Sequence, residues 1–131
     1  MIIDTSAIIA ILRDEAGASE CARAIEKTRS RRISAANFVE AALVIDGSRD
    51  PIASRRFDEF FKEANIAVEA LTLEQARLAR EAYRDVGKGS GHLAKLNFGD
   101  CFAYALAKAT GEPLLFKDDD FVHTDIAPAL G

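Results

Sequence analysis

Apolar residues recur along the chain in two rhythms, and each change of rhythm marks an element. Met1-Ile-Ile reads as a short buried strand that ends at Asp4. From Thr5 the spacing becomes helical, with Ile8, Ile9, Ile11 and Leu12 leading to Arg13-Asp14. Gly17 interrupts it, and a second amphipathic helix is predicted through Cys21, Ala24 and Ile25 to about Thr28. The basic cluster from Arg29 to Arg32 leads into a strand near Ile33, and Ser34 is placed to cap a helix carrying Phe38, Val39, Leu43, Val44 and Ile45. Asp50-Pro51 is a helix start, with an acid at the cap and proline at the first helical position. Ile52, Phe57, Phe60 and Phe61 fall on one face of that helix.

Ile66 to Leu71 alternates as a strand does, and Thr72-Leu-Glu-Gln75 has the form of a capping box opening the next helix. Gly87 ends that helix and begins a glycine-rich loop to Asn97. Asn97 caps a helix from Phe98 to Thr110, closed by Gly111 with Pro113 beyond. Leu114-Leu-Phe116 is a last core strand, and Ile126 to Leu130 is read as an added edge strand. Short apolar strands alternating with long helical connections predict a parallel sheet covered on both faces. The fold class is therefore α/β, a three-layer α/β/α domain with a short, mainly parallel central sheet.

The length of 131 residues corresponds to a single domain spanning 1–131. At 49 % apolar, the chain can bury a core without disulfides or a structural metal. Cys21 and Cys101 sit among alanines in helical patterns and are read as free buried thiols of a reducing compartment. With no signal-peptide pattern at Met1 and no apolar run of the roughly 18 residues that a membrane span needs, a cytoplasmic protein is expected. The net charge of −4 is unlike that of most nucleic-acid binders, but two divalent cations at an acidic site would cancel it, so a nucleic-acid substrate stays open.

In such a sheet ligands bind beyond the carboxyl ends of the strands, and acids gather there. Asp4 ends the first strand. Glu40 is the lone charge between Ala35 and Ile45, in a helix that reads as apolar nearly all round and hence buried; a carboxylate there is costly unless it is paired or bound to a cation. Asp100 is the third residue of its helix, where the dipole favours an acid in any case. Asp118, Asp119 and Asp120 follow the last strand. Position favours Asp118 as the fourth acid, with Asp119 close behind, whereas Asp120 reads as a cap and dispensable. Acids converging on one edge would repel one another without a cation between them. Oxygen ligands alone suit Mg2+ or Mn2+, and the chain lacks the His/Cys spacing of a zinc site. His92 and His123 are read as surface residues.

These residues match a known pattern. Met1-Ile-Ile-Asp4-Thr-Ser-Ala resembles the opening of PIN-domain proteins, and Ser34-Ala-Ala-Asn-Phe-Val-Glu40 their second acidic motif. Leu96-Asn-Phe-Gly-Asp100-Cys-Phe-Ala-Tyr-Ala resembles the third, and Leu114 to Phe121 with Thr124-Asp125 the last. Within that family the chain looks most like the VapC toxins of bacterial toxin–antitoxin pairs. The resemblance implies a Mg2+- or Mn2+-dependent endoribonuclease, a homodimer, and inhibition by a VapB-type antitoxin. Asp4 and Asp100 would be the primary metal ligands, and Glu40 a ligand or the group orienting the attacking water. Asp118 or Asp119 would support those ligands from outside or hold a weaker second metal; relatives often carry glycine where this chain has Asp118, so the choice stays open. Thr5 and Ser6 are placed to hydrogen-bond a ligand or to cap a helix. Arg13, Lys88, Lys95 and Lys117 are the candidate phosphate contacts.

Two other functions are weighed. A phosphotransferase with a nucleophilic aspartate at the first strand needs a second aspartate two residues on, where this chain has Ser6. A PIN fold kept only for partner contact has no reason to retain every acid. For the interface, the aromatic helix from Asp50, with the helix before it, is expected to form the antitoxin groove or part of the dimer contact.

Overall fold

The computed structural model describes residues 1–130, in which four strands alternate with six helices. The strands are β1 (Ile2–Ile3), β2 (Arg32–Ser34), β3 (Ala67–Glu69) and β4 (Leu114–Leu115). They form one sheet in the order β3-β2-β1-β4, every pairing parallel. The helices are α1 (Thr5–Leu12), α2 (Ala18–Lys27), α3 (Ala35–Asp46), α4 (Pro51–Glu63), α5 (Leu73–Val86) and α6 (Phe98–Thr110). Side chains on a strand alternate between faces, and here that alternation separates two apolar cores. Ile2 and Leu114 point into one, with Leu96, Cys101, Leu106 and Phe121 from the α5–α6 side. Ile3 and Leu115 point into the other, with Ile8, Ile25, Ile45 and Phe57 from α1 to α4. A parallel sheet with an apolar core on each face is the three-layer α/β/α arrangement expected from the pattern.

The caps fall where the sequence places them. Asp4, Ser34, Asp50, Thr72 and Asn97 each accept a backbone N–H in the first turn of the helix they open. The capping box at Thr72 is only half formed, because Gln75 turns its amide inward and its Oε1 is buried with no hydrogen-bond partner. The tail from Ile126 makes a single bridge, Leu114 to Pro128, instead of a strand. Leu114 N–H donates to Ala127 O and Ala129 N–H to Leu114 O, and Pro128 between them has no N–H to extend the ladder. Cys21 and Cys101 are both buried and free. No helix among the described residues is long and apolar enough to cross a membrane.

Two expectations need correction. Helix α3 is not buried all round: Asn37, Ala41 and Ile45 face inward, but Val39 is 52 % and Leu43 66 % exposed. The aromatic stripe of α4 is largely core. Phe57 lies 4.8 Å from Phe61 and 5.5 Å from Phe38 between ring centroids, and Phe60 packs edge-on against Phe61. Aromatic residues four apart on one helix face serve a core as readily as an interface, and Phe38 on α3 supplies the partner that decides it.

Basic residues from the cluster before β2 are taken up at the edge of the sheet where the strands begin. Arg32 pairs with Glu69 and Glu112, while the Arg31 guanidinium donates to the carbonyls of Glu26, Thr28 and Ala64. Neither arginine lines the acidic pocket at the other end of the strands.

Since Phe57 is 3 % exposed and touches two other rings, Phe57→Ala is expected to lower stability in urea unfolding by about 3–5 kcal/mol. Phe60→Ala, at a half-buried position, should cost less. Equal losses would show that α4 is not anchored through Phe57.

Candidate metal centre

The carboxyl edge of the sheet is where three helices begin. Asp4 follows β1 and caps α1, Ser34 ends β2 and caps α3, and Asn97 caps α6. Their first turns carry N–H groups and the positive ends of helix dipoles, a setting that favours anions. Asp4 is 3 % exposed. Its Oδ2 accepts from the Ser6 N–H at 3.0 Å and from the Ser6 hydroxyl at 2.6 Å. Asp100 forms a complete capping box with Asn97: its own N–H donates to Asn97 Oδ1 at 2.9 Å, and Asn97 N–H donates to its Oδ2 at 3.0 Å.

Asp4, Asp100 and Asp120 each offer a carboxylate oxygen within 4.8 Å of the others. Of the aspartate run, the structure brings Asp120 into this group, and not Asp118 or Asp119. Asp118 adopts φ +65°, which turns the chain back directly after Lys117. Phe121, 1 % exposed and 5.1 Å from Phe116, then plugs the core and draws Asp120 over the strand end. Asp118 is left on the rim of the acidic pocket, and Asp119 does not line it. The reading of Asp120 as a mere cap counted residues outward from the strand, whereas a left-handed residue and a buried aromatic set the path.

Glu40 lines the same pocket but lies outside that group of three. Its Oε1 accepts from Thr5 Oγ1 at 2.5 Å and from Asn37 Nδ2 at 3.3 Å. Asn37 is fully buried, and its Nδ2 also donates to the Gly99 carbonyl at 3.0 Å, tying α3 to the first turn of α6. A Cβ at Gly99 would collide with the Glu40 carboxylate, so glycine is what lets α6 approach it. Sequence reasoning missed Asn37 and Gly99. The signal for Asn37 was the one that singled out Glu40, a polar side chain on the inward face of an apolar helix, one turn earlier.

Of the candidate phosphate contacts, Lys117 lines the pocket, while Arg13, Lys88 and Lys95 do not. Ser6 Oγ accepts from the Lys117 N–H at 3.0 Å, and Thr5 is the hydroxyl on Glu40, so the two hydroxyls after Asp4 hold the site together. His92 and His123 line a separate cavity with Tyr104 and Asp125, which none of Asp4, Asp100 and Asp120 lines.

Burial pushes the Asp4 carboxyl up to about 7, against the bonds from Ser6 and with the help of Asp100 and Glu40. Burial also pushes Asp100 up to about 6, again with neighbouring acids, Asp120 and Glu40, adding to the effect. Asp120 is raised by burial and by Asp118 and Asp119. The donor set consists of oxygens only, crowded and reluctant to ionise without a counter-charge, and it fits a hard divalent cation.

In the metal-free protein these shifts set the pH dependence of stability. The folded state holds protons on Asp4 and Asp100 that the unfolded chain releases near its ordinary value of 3.8. Their contribution therefore falls as pH rises from about 4 through about 7, and is lost above that. The melting temperature in chelator should be lower at about pH 8 than at about pH 5, and added Mn2+ should raise it more at the higher pH, where protons no longer compete. A Mn2+ shift that is larger at the lower pH would contradict a carboxylate site.

A family profile described as PIN domain matches residues 1–127 of the chain. VapC ribonuclease Mb0625 of Mycobacterium bovis is 56 % identical over 130 residues, covering 99 % of this chain and 98 % of that protein. Ribonuclease VapC42 of Mycobacterium tuberculosis is 51 % identical over 129 residues, covering 98 % of each. Among solved structures, Mycobacterium tuberculosis VapC20, described as a sarcin-ricin loop cleaving toxin, superposes with a TM-score of 0.75 at 17 % identity, covering 96 % of this chain and 95 % of that one. A toxin–antitoxin complex from Klebsiella pneumoniae gives 0.71 at 17 % identity, covering 98 % of this chain and 96 % of that one. At that identity the two structures speak for the fold, and the sequence relatives for the branch. The chain belongs to the PIN-domain family, in its VapC branch.

Proposed function

We propose that this chain is a metal-dependent endoribonuclease acting in the cytoplasm as the toxin of a toxin–antitoxin pair, with Mg2+ or Mn2+ held by Asp4, Asp100 and Asp120. The observation that carries this reading is the meeting of those three carboxylates at the carboxyl edge of the sheet, in a chain whose sequence relatives are ribonucleases. When bound, the cation would neutralise a phosphate and make a water acidic enough to attack it. The protein's own part is positioning. Ser6 and the Asn97 N–H each bond Oδ2 of their aspartate, which restrains both carboxylates and leaves Oδ1 of each without a bond from those groups. Glu40, held by Thr5 and Asn37 beside the group of three, is placed to orient the attacking water and accept its proton. Asp118 stays a carboxylate on the rim of the pocket, and Asp119 takes no part.

The partners proposed are RNA, a VapB-type antitoxin and a second copy of the chain. Val39 and Leu43 are exposed on α3, the helix whose Glu40 and Val44 line the pocket with Ile9, and Ile52 is exposed at the start of α4. These exposed residues, rather than the phenylalanines of α4, are the surface assigned to the antitoxin. Phe98, 77 % exposed, and Tyr83, 48 % exposed, border an apolar groove between α5 and α6, the face assigned to the homodimer.

Asp100→Asn keeps an oxygen for the Asn97 cap but removes the anion, so it should fold as the parent does and cleave RNA at least about 100-fold more slowly with Mn2+. Full activity would defeat the metal-nuclease reading. Asp120→Asn should raise the Mn2+ concentration for half-maximal cleavage well above the parent's, and Asp118→Asn only slightly; the reverse order would restore Asp118 as the third ligand.

Leu43→Glu should weaken binding of the co-expressed antitoxin by about tenfold or more in calorimetry while RNA cleavage continues. Phe98→Glu should give a monomer in light scattering. Unchanged antitoxin affinity in the first, or an unchanged mass in the second, would move the interface elsewhere.

A further inference from the structure

The acidic pocket is lined by six carboxylates, those of Asp4, Glu15, Glu40, Asp100, Asp118 and Asp120. Among the described residues, Lys117 is its only lysine or arginine. The Lys117 backbone is fixed to the site, since its N–H donates to Ser6 Oγ and that hydroxyl donates to Asp4 Oδ2. Its side chain is paired with Glu15, with Nζ 2.9 Å from Oε1. Glu15 lies between α1 and α2, where its N–H donates to Ala10 O at 2.9 Å, so its backbone is tied to the end of α1. The two side chains are 24 % and 36 % exposed, a screened pair that a competing anion can open. Lysine is a mobile point charge on a flexible stem, suited to exchanging one anion for another.

We propose that Lys117 receives a backbone phosphate of the RNA, and that Glu15 is a built-in brake, competing for the same ammonium group and lowering affinity for substrate. The proposal rests on the RNA-cleaving reading of the site and adds to it a positioning residue and its regulator. An anionic substrate approaching this rim meets repulsion from the acids and one cation that is already paired. Exchange of Glu15 for phosphate leaves the number of ion pairs unchanged, so the brake tunes affinity without abolishing it.

The test is steady-state cleavage of a short single-stranded RNA of mixed sequence with saturating Mn2+, in the parent, Lys117→Gln, Glu15→Gln and the double variant. Lys117→Gln should raise KM by about tenfold, with a smaller effect on kcat, and reduce the slope of log KM against log salt by about one. Lys117→Arg should recover most of the loss. Glu15→Gln should shift KM the other way, down by about threefold. The deciding measurement is the double variant, in which removing Glu15 should no longer matter, because its effect runs through Lys117. If Glu15→Gln lowers KM equally with and without Lys117, Glu15 merely repels RNA and the brake is refuted. If both single variants raise KM, the pair is a structural tie and the proposal fails. A parent that leaves this RNA and longer natural RNAs uncut overturns the nuclease reading itself, a result distinct from either.

Discussion

Like charges held close together at the edge of the sheet are the constraint that the rest of the structure answers to. Asp4, Asp100 and Asp120 bring oxygens within 4.8 Å of one another, and two of the three are buried. In water such a group would fly apart, and in a protein interior burial makes ionisation harder still. Something must hold the backbone against that repulsion, and here it is the two-sided core. Ile2 and Ile3 before Asp4, Cys101 and Ala103 after Asp100, and Phe121 after Asp120 are each buried, so every acid in the group is flanked by apolar anchors. The cost of the site is met a few residues away in sequence, on both faces of the sheet.

The helix starts soften the same repulsion. Asp4 and Asp100 are at once candidate ligands and capping groups, so each accepts a backbone N–H that would be needed at a helix terminus in any case. Oδ2 of each carboxylate thus has a structural task at a helix start. Glu40 is supported differently, by a hydroxyl and an amide, from α1 and from one turn earlier on its own helix. Asn37 joins α3 to α6 from a fully buried position, and Gly99 gives the room that the Glu40 carboxylate fills. The distances within the site are therefore set by contacts between helices, and the sheet sets only where those helices begin.

That division explains what could be read from the sequence. Short-range signals were legible: Asn97 as a cap with Asp100 three residues on, Asp50-Pro51 as a start, Gly111 as a stop, and Ile2 and Leu114 as strand residues. Each depends on groups a few residues apart, which the sequence displays directly. Asp120 was misplaced because its position depends on the left-handed turn at Asp118 and on Phe121 finding Phe116, a tertiary event. The inward turn of the Phe57–Phe61 stripe likewise depended on Phe38 from another helix. The exposure of Val39 and Leu43 was hidden because an apolar helix face with no partner in the chain looks the same in sequence as one that has one. Lys117 was on the list of phosphate contacts, but nothing in its neighbours showed that Glu15, from a distant loop, would reach it.

The distribution of positive charge completes the physical account. Arg31 and Arg32 are held at the edge where the strands begin, by helix-end carbonyls and by Glu69 and Glu112. They are unable to swing across the sheet to the acids, which lie at the opposite ends of the same strands. The acidic edge is consequently left with Lys117 as the cation lining it, and Lys117 is itself paired. A phosphodiester has little reason to enter such a pocket until a divalent ion has entered first. On the proposed nuclease reading, the same arrangement that makes the acids hard to ionise alone would make cation binding and substrate binding interdependent. Electrostatics of this kind let one small pocket discriminate between a charged and an uncharged state of itself before any contact with a base is made.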